Sequence, residues 1–163
     1  NCHDVPEVAA AGGSLHAPAT NACTECHQPH ASANDHFLLA PARPLCLTCH
    51  TDIGTQLETE AVHAPAQDDE GCLTCHGAHT TGHPSLLLSG VSEGCLSCHD
   101  GSSSRFAEKH LGFAATSLDC RECHDPHASS MAGMLLPEVH PPFAEGDCPV
   151  CHAEPGGAAG GLQ

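Results

Sequence analysis

The stretch CLTCHGAH, residues 72–79, decides how this chain is read. Two cysteines stand three apart, a histidine follows the second at once, and another histidine comes three residues later. Working outward, Cys-x-x-Cys-His recurs as CTECH (23–27), CLTCH (46–50), CLTCH (72–76), CLSCH (95–99), CRECH (120–124) and CPVCH (148–152). These six motifs use 12 of the 13 cysteines. The remaining one, Cys2, lies in NCHD at 1–4, which matches SCHD at 97–100. Cys2 and His3 read as the close of a seventh motif whose first cysteine is cut away or missing; a native single-cysteine variant is the alternative.

The motifs sit in a longer period. Cys23 to Cys72 is 49 residues, and Cys72 to Cys120 is 48. Each unit opens with a leading histidine, in LHAP (15–18), VHAP (62–65) and KHLG (109–112). A motif extended to CHxxH follows (CHQPH, CHGAH, CHDPH), then a leucine run (FLLA, SLLL, GMLLP), and in two units a second motif. The third unit departs: after GMLLP it goes straight to a new leading histidine in VHPP (139–142) and then CPVCH. A period of this size marks stacked repeats. We expect one domain over residues 1–152, with a partial unit at 1–4 and repeats near 15–61, 62–108 and 109–152. Residues 153–163 carry no pattern and are expected to be a flexible tail.

The composition rules out an ordinary side-chain core. Leu, Ile, Val and Phe number 27 of 163 residues, Trp and Tyr are absent, and the formal net charge is −16. Such a chain has too little apolar surface to offset the entropy of ordering its backbone. With 16 Gly and 13 Pro punctuating every segment and no strand-like alternation, we expect mostly coil with short α-helices and little or no sheet. Four Lys and Arg against 20 Asp and Glu exclude nucleic acid as a partner. No apolar run approaches the roughly 20 residues of a transmembrane helix. QDDEG at 67–71 reads as a solvated acidic turn.

Cys-x-x-Cys-His is the attachment pattern of c-type haem. Two thiols one helical turn apart can add to the two vinyl groups on one porphyrin edge, and the adjoining histidine then lies under the iron. Cys26 to Cys46 also fits a zinc-ribbon spacing. Zinc, however, has no need of a histidine after the second cysteine, and six of six by chance is roughly a one-in-a-million event at this histidine content. A disulfide scaffold competes for the same, already committed cysteines. Haem also answers the composition: the porphyrins form the core and the chain wraps them, so folding depends on the cofactor. The expected architecture is thus a repeat array around a stacked chain of about seven haems.

The cofactor-binding cysteines are Cys2, Cys23, Cys26, Cys46, Cys49, Cys72, Cys75, Cys95, Cys98, Cys120, Cys123, Cys148 and Cys151. The proximal ligands are His3, His27, His50, His76, His99, His124 and His152. Seven distal candidates match them: the leading His16, His63, His110 and His140, and the CHxxH residues His30, His79 and His127. His36 and His83 precede leucine runs and are left as surface residues or propionate contacts. Met131 and Met134 read as packing beside a leucine run, not as ligands.

In these motifs, over nearly all of residues 1–152, the chain resembles multihaem c-type cytochromes with doubled CxxCH repeats. The resemblance implies bis-histidine irons, closely stacked porphyrins and electron transfer. In small relatives of the cytochrome c3 type, a histidine upstream of a motif ligates that motif's own haem, and one just after it reaches a neighbour. Carried over, His16, His63, His110 and His140 would cap the haems of Cys23/Cys26, Cys72/Cys75, Cys120/Cys123 and Cys148/Cys151. His30 and His79 would cap those of Cys46/Cys49 and Cys95/Cys98. His127 and the Cys2 haem are then left over: sharing them between copies would join chains into a filament, as in extracellular nanowire cytochromes, while the alternative folds His127 back within its own chain or has the missing segment supply the ligand.

Six-coordinate iron offers no open site, so one-electron transfer is the expected function, outside the cytoplasm, with periplasmic or extracellular localisation implied by the resemblance. The chain is expected to be a wire subunit or a soluble shuttle meeting redox proteins or external acceptors. A multihaem reductase with one open haem is the second reading, and haem storage a third. No CxxCK motif occurs.

Overall fold

In a computed structural model of the protein, the described residues are 12–58, 61–138 and 140–141. Cys2, His3, Cys148, Cys151, His152, the partial unit at 1–4 and the tail at 153–163 lie outside them. The sequence repeat appears in space as two alternating kinds of turn. The first kind holds the motifs at 23–27, 72–76 and 120–124, in helix α1 (Cys23–Cys26) and the 3₁₀ turns Gly71–Thr74 and Cys120–Glu122. Its histidine is extended and bridges the leucine run in antiparallel fashion: His27 opposite Leu38, His76 opposite Leu87, His124 opposite Leu135. The Gln28 N–H donates to the Phe37 carbonyl (2.7 Å), and the Leu39 N–H returns to Cys26 (2.9 Å). Gly77 with Leu86 and Leu88 with Cys75 repeat the clamp, as do Asp125 with Met134 and Leu136 with Cys123. The leucine runs therefore act through their backbones.

The second kind embeds the first cysteine of the motif in a helix. Helix α2 (Ala42–Leu47) carries Cys46 and is followed by α3 (Thr51–Gln56). Helix α4 (Val91–Leu96) carries Cys95 and is followed by α5 (Ser104–Lys109). Helix α5 is capped in the usual way, the Ser103 hydroxyl accepting the Phe106 N–H at 3.2 Å. The helices are one or two turns long, too short to stand alone.

Units are joined by small antiparallel ribbons. Strand β1 (Ser14–Leu15) pairs with β2 (Thr80–Thr81), Ser14 opposite Thr81 and Leu15 opposite Thr80. The His16 N–H extends the pairing to the His79 carbonyl at 2.8 Å. One unit later, Val62 bridges Ala128, with His63 N–H on His127 (2.9 Å) and Ser129 N–H on Ala61 (2.8 Å). A second link runs from α2 to the next unit's leading turn, Arg43 donating its N–H to the Asp69 carbonyl and its Nε–H to Ala66. The acidic side chains of that QDDEG turn are exposed, as expected.

Buried apolar residues among those described are Ala42, Ala115 and Ala128, and no large side chain is fully buried. Phe37 is 59% exposed and Leu88 55%. The structure is thus mostly coil with short helices and a two-stranded sheet, as the composition implied, and the polypeptide supplies no leucine core. No helix among the described residues is long and apolar enough to cross a membrane.

Gly71 is buried where the leading turn of the second unit meets its first motif. A Cβ there would overlap the Pro65 carbonyl oxygen, a backbone atom that cannot step aside. Gly71→Ala is expected to cost on the order of 1–3 kcal/mol, read as a lower denaturant midpoint of the haem-loaded protein; an unchanged midpoint contradicts the packing described.

Candidate functional site

Each described motif closes a single helical turn. The histidine N–H donates to the first cysteine's carbonyl: His27 to Cys23 (2.9 Å), His50 to Cys46 (3.0 Å), His76 to Cys72 (3.0 Å), His99 to Cys95 (2.9 Å) and His124 to Cys120 (2.9 Å). Such a turn sets both thiols on one side with the histidine beneath. All ten described cysteines are free. The Cys46 thiol lies against Cys72, and Cys95 against Cys120; burial first, then the neighbouring thiol, push Cys46 and Cys95 up to about 11. Burial also raises Cys26 and Cys75, next to Cys49 and Cys98 respectively. Motifs consecutive in sequence are therefore neighbours in space, from 23–27 through to 120–124. Among the described residues no three His, Cys, Asp or Glu side chains converge as ion ligands, so the zinc-ribbon spacing closes no tetrahedral site.

The proximal histidines do not stand alone. Five ring pairs recur: His16 with His50 (centroids 6.0 Å apart), His27 with His79 (5.8 Å), His63 with His99 (6.0 Å), His76 with His127 (6.2 Å) and His110 with His124 (6.2 Å). Face-to-face contact is much closer, as Phe106 on His110 shows at 3.9 Å and 10°. An imidazole nitrogen binds a transition metal at about 2 Å, and a ring atom lies about 1.2 Å from its centroid, so two rings facing one ion stand roughly 6 Å apart. Every described motif histidine thus has a second imidazole at the distance that one iron would span.

The partners differ from those the resemblance implied. His16 faces His50 of the second motif, not His27, and His79 faces His27, not His99. His63 faces His99, not His76. His127, expected to be left over, faces His76. Among the described motifs His110 opposite His124 alone has the implied neighbour, and the pairing of His140 with the 148–152 motif lies outside the described residues. The cause is the ribbon: one paired segment carries a leading histidine and the next unit's CHxxH histidine together, so both are presented to the unit before. His30, His36, His83 and His140 face no ring among the described residues.

The third unit also departs from its sequence reading. The 3₁₀ turns that follow His16 and His63 correspond to the turn following Ala114: the Ala19, Ala66 and Ser117 N–H groups donate to His16, His63 and Ala114. His110 sits four residues upstream, at the C-terminus of α5, held by its Nδ1 donating to Phe106 (2.9 Å). Unit three has no second motif for a leading histidine to face. Its first-motif ring is met by His110, and the next CHxxH place holds Pro155.

Hydrogen bonds fix which nitrogen is free. The Nδ1–H of His27, His76 and His124 donates to the carbonyl nine residues on, at His36 (2.8 Å), Ser85 (2.9 Å) and Gly133 (2.8 Å). His16 and His63 donate likewise to Ala78 (2.9 Å) and Pro126 (3.0 Å). The bond leaves Nε2 as the nitrogen available to a metal. Delivering those carbonyls takes two successive left-handed residues, His36–Phe37 (φ 54°, 58°), Ser85–Leu86 (57°, 56°) and Gly133–Met134 (72°, 61°). Only the third turn uses glycine, so in the others the fold tolerates a side-chain penalty of about 1–2 kcal/mol per residue. His36 thereby has a backbone role, and its counterpart in the second unit is Ser85, not His83.

Asp125 was not singled out by the sequence. One carboxylate oxygen accepts the His127 N–H (2.9 Å), the other the Gln56 amide, and the carboxylate lies 3.9 Å from the His127 Nδ1. Burial holds the His127 imidazole below its ordinary pKa, against the pull of Asp125. The neutral form, the one that ligates, is favoured.

A family described as the doubled CXXCH motif matches residues 16–55 and 63–104, together half of the chain. No curated protein matches it.

Asp125→Ala removes the acceptor of the His127 N–H, the Ala128 N–H and the Gln56 amide. We expect a loss of about 1–3 kcal/mol in the haem-loaded protein, with Asp125→Asn losing less; equal stability of all three proteins in denaturant titration contradicts this role.

Proposed function

The chain belongs to the multihaem c-type cytochromes with doubled CxxCH motifs, and on that premise we propose that it carries electrons outside the cytoplasm through about seven neighbouring bis-histidine haems. Five of them rest on the described motifs, with the ligand pairs His27/His79, His50/His16, His76/His127, His99/His63 and His124/His110. The other two are assigned to Cys148, Cys151 and His152, and to Cys2 and His3. The observation that carries the reading is the set of five imidazole pairs near 6 Å, each with one ring on a motif.

Bound haem supplies one-electron exchange between ferric and ferrous iron, its potential set by ligands and surroundings. The chain's own residues would hold that group: the paired cysteines would bind the porphyrin and the facing imidazoles would ligate the iron, six of them (His16, His27, His63, His76, His110 and His124) oriented by an Nδ1–H donated to a backbone carbonyl. No described motif is left with a single imidazole, which favours electron transfer over reductase chemistry. The consecutive order of the motifs supports a conduit over isolated carriers. A formal charge of −16 favours cationic redox partners or external acceptors, with salt-sensitive docking. Secretion to the periplasm or cell exterior follows from the family reading alone. A filament built through His127 is disfavoured, since that ring already faces His76.

Removing His127 tests the pairing. His127→Ala is expected to convert one iron per chain to a high-spin, carbon monoxide-binding form at the 72–76 motif, seen by electron paramagnetic resonance and absorption. Unchanged spin states would overturn the assignment. Mass spectrometry of the intact protein is expected to show seven haems; six would remove the one at Cys2.

A further inference from the structure

Among the described residues one histidine ring has a carboxylate at ion-pair distance: His127, whose Nδ1 lies 3.9 Å from an oxygen of Asp125. The rings of His16, His27, His63, His76, His110 and His124 instead turn Nδ1 to uncharged backbone carbonyls. The Asp125 carboxylate is fixed from two sides. The oxygen nearest the ring accepts the His127 N–H (2.9 Å) and the Ala128 N–H (3.4 Å), and the other accepts the Gln56 amide from the end of α3. Gln56 also donates to the Ala128 carbonyl (3.1 Å), which ties the helix to the strand that carries His127. The Asp125 side chain is 19% exposed.

The other units have no such group. Gln28 and Gly77 take the place of Asp125 in CHQPH and CHGAH. A Cβ at Gly77 would meet the Thr81 methyl carbon at 2.6 Å, whereas the third unit has Ser129, without that methyl, at the matching place. Asp100 follows His99 directly, but its carboxylate accepts from the Ser102 N–H (2.9 Å) and hydroxyl (2.6 Å) in its own exposed loop.

We infer that Asp125 is a positioning residue that gives the haem between His76 and His127 the lowest midpoint potential of the five described motifs. This rests on the haem reading proposed above. Ferric iron carries one more positive charge than ferrous iron. A negative oxygen held beside its ligand ring and partly shielded from water therefore favours the ferric state, and an uncharged carbonyl does so less. The nearest rival is the His110/His124 pair, where both rings meet carbonyls, but neither acceptor is charged. The 72–76 motif is the middle one of the five. An electron crossing from the 23–27 motif to the 120–124 motif through neighbours passes it, one electron being gained there and one lost by the haem before it, with no bond made or broken. Asp125 thus sets the uphill step at the centre of the passage.

The test is a potentiometric titration of the haem-loaded protein at fixed pH and salt, followed by electron paramagnetic resonance. The last low-spin component to be reduced in the native protein is expected to be the one missing from His127→Ala. Asp125→Asn keeps an acceptor for the His127 and Ala128 N–H groups and removes the charge. It is expected to leave every iron low-spin and to raise that component alone, shifting its ferric-to-ferrous ratio by about tenfold, or about 59 mV. Gln56→Leu, which releases the carboxylate toward solvent, is expected to raise the same component by less. Potentials unchanged in both variants overturn the inference, as does a lowest component that survives in His127→Ala. An Asp125→Asn protein in which that iron turns high-spin shows a merely structural role and overturns it too. Unchanged spin states in His127→Ala contradict the ligand pairing itself, so failure of the Asp125 role is distinguishable from failure of the haem reading.

Discussion

The structure depends on one constraint: two imidazoles, from distant parts of the chain, must be held about one iron's coordination diameter apart. Among the described residues the buried apolar side chains are a few alanines, and the helices are too short to persist alone. The hydrogen-bonded elements can all be understood as serving that spacing. The one-turn motifs set the proximal ring under the paired thiols, the leucine-run clamps fix its Nδ1–H, and the ribbons carry the opposing ring.

The ribbon explains how one repeat unit is joined to the next. Because each ribbon combines a leading strand with the CHxxH strand of the next unit, the motif histidines His27 and His76 meet their facing rings only where the next unit docks. The same coupling accounts for the changes in the third unit. Without a second motif there, the leading place becomes Ala114. With Pro155 at the next CHxxH place, His110 moves in from helix α5 to face His124. Two departures that look unrelated in sequence thus leave the His124 ring with a facing imidazole.

Much of this was legible in the sequence, and the limits have physical causes. The motifs, the period and the shortage of large apolar residues follow from local spacing and composition, so the cofactor and the coil-rich fold could be read directly. The ring partners could not. They are set by two-residue strands pairing residues more than 60 positions apart, such as Leu15 with Thr80, and such strands leave no periodic trace. Analogy to smaller relatives favoured pairing within a motif's own neighbourhood, which holds only for His110. The left-handed pairs at His36–Phe37 and Ser85–Leu86 were equally hidden, since neither contains the glycine that usually announces them.

Locating the iron atoms by anomalous diffraction from crystals of the haem-loaded protein addresses the central claim most directly. The account predicts one iron between the rings of each pair, His27 and His79, His16 and His50, His76 and His127, His63 and His99, His110 and His124. Irons joining His16 to His27, or His63 to His76, would contradict it.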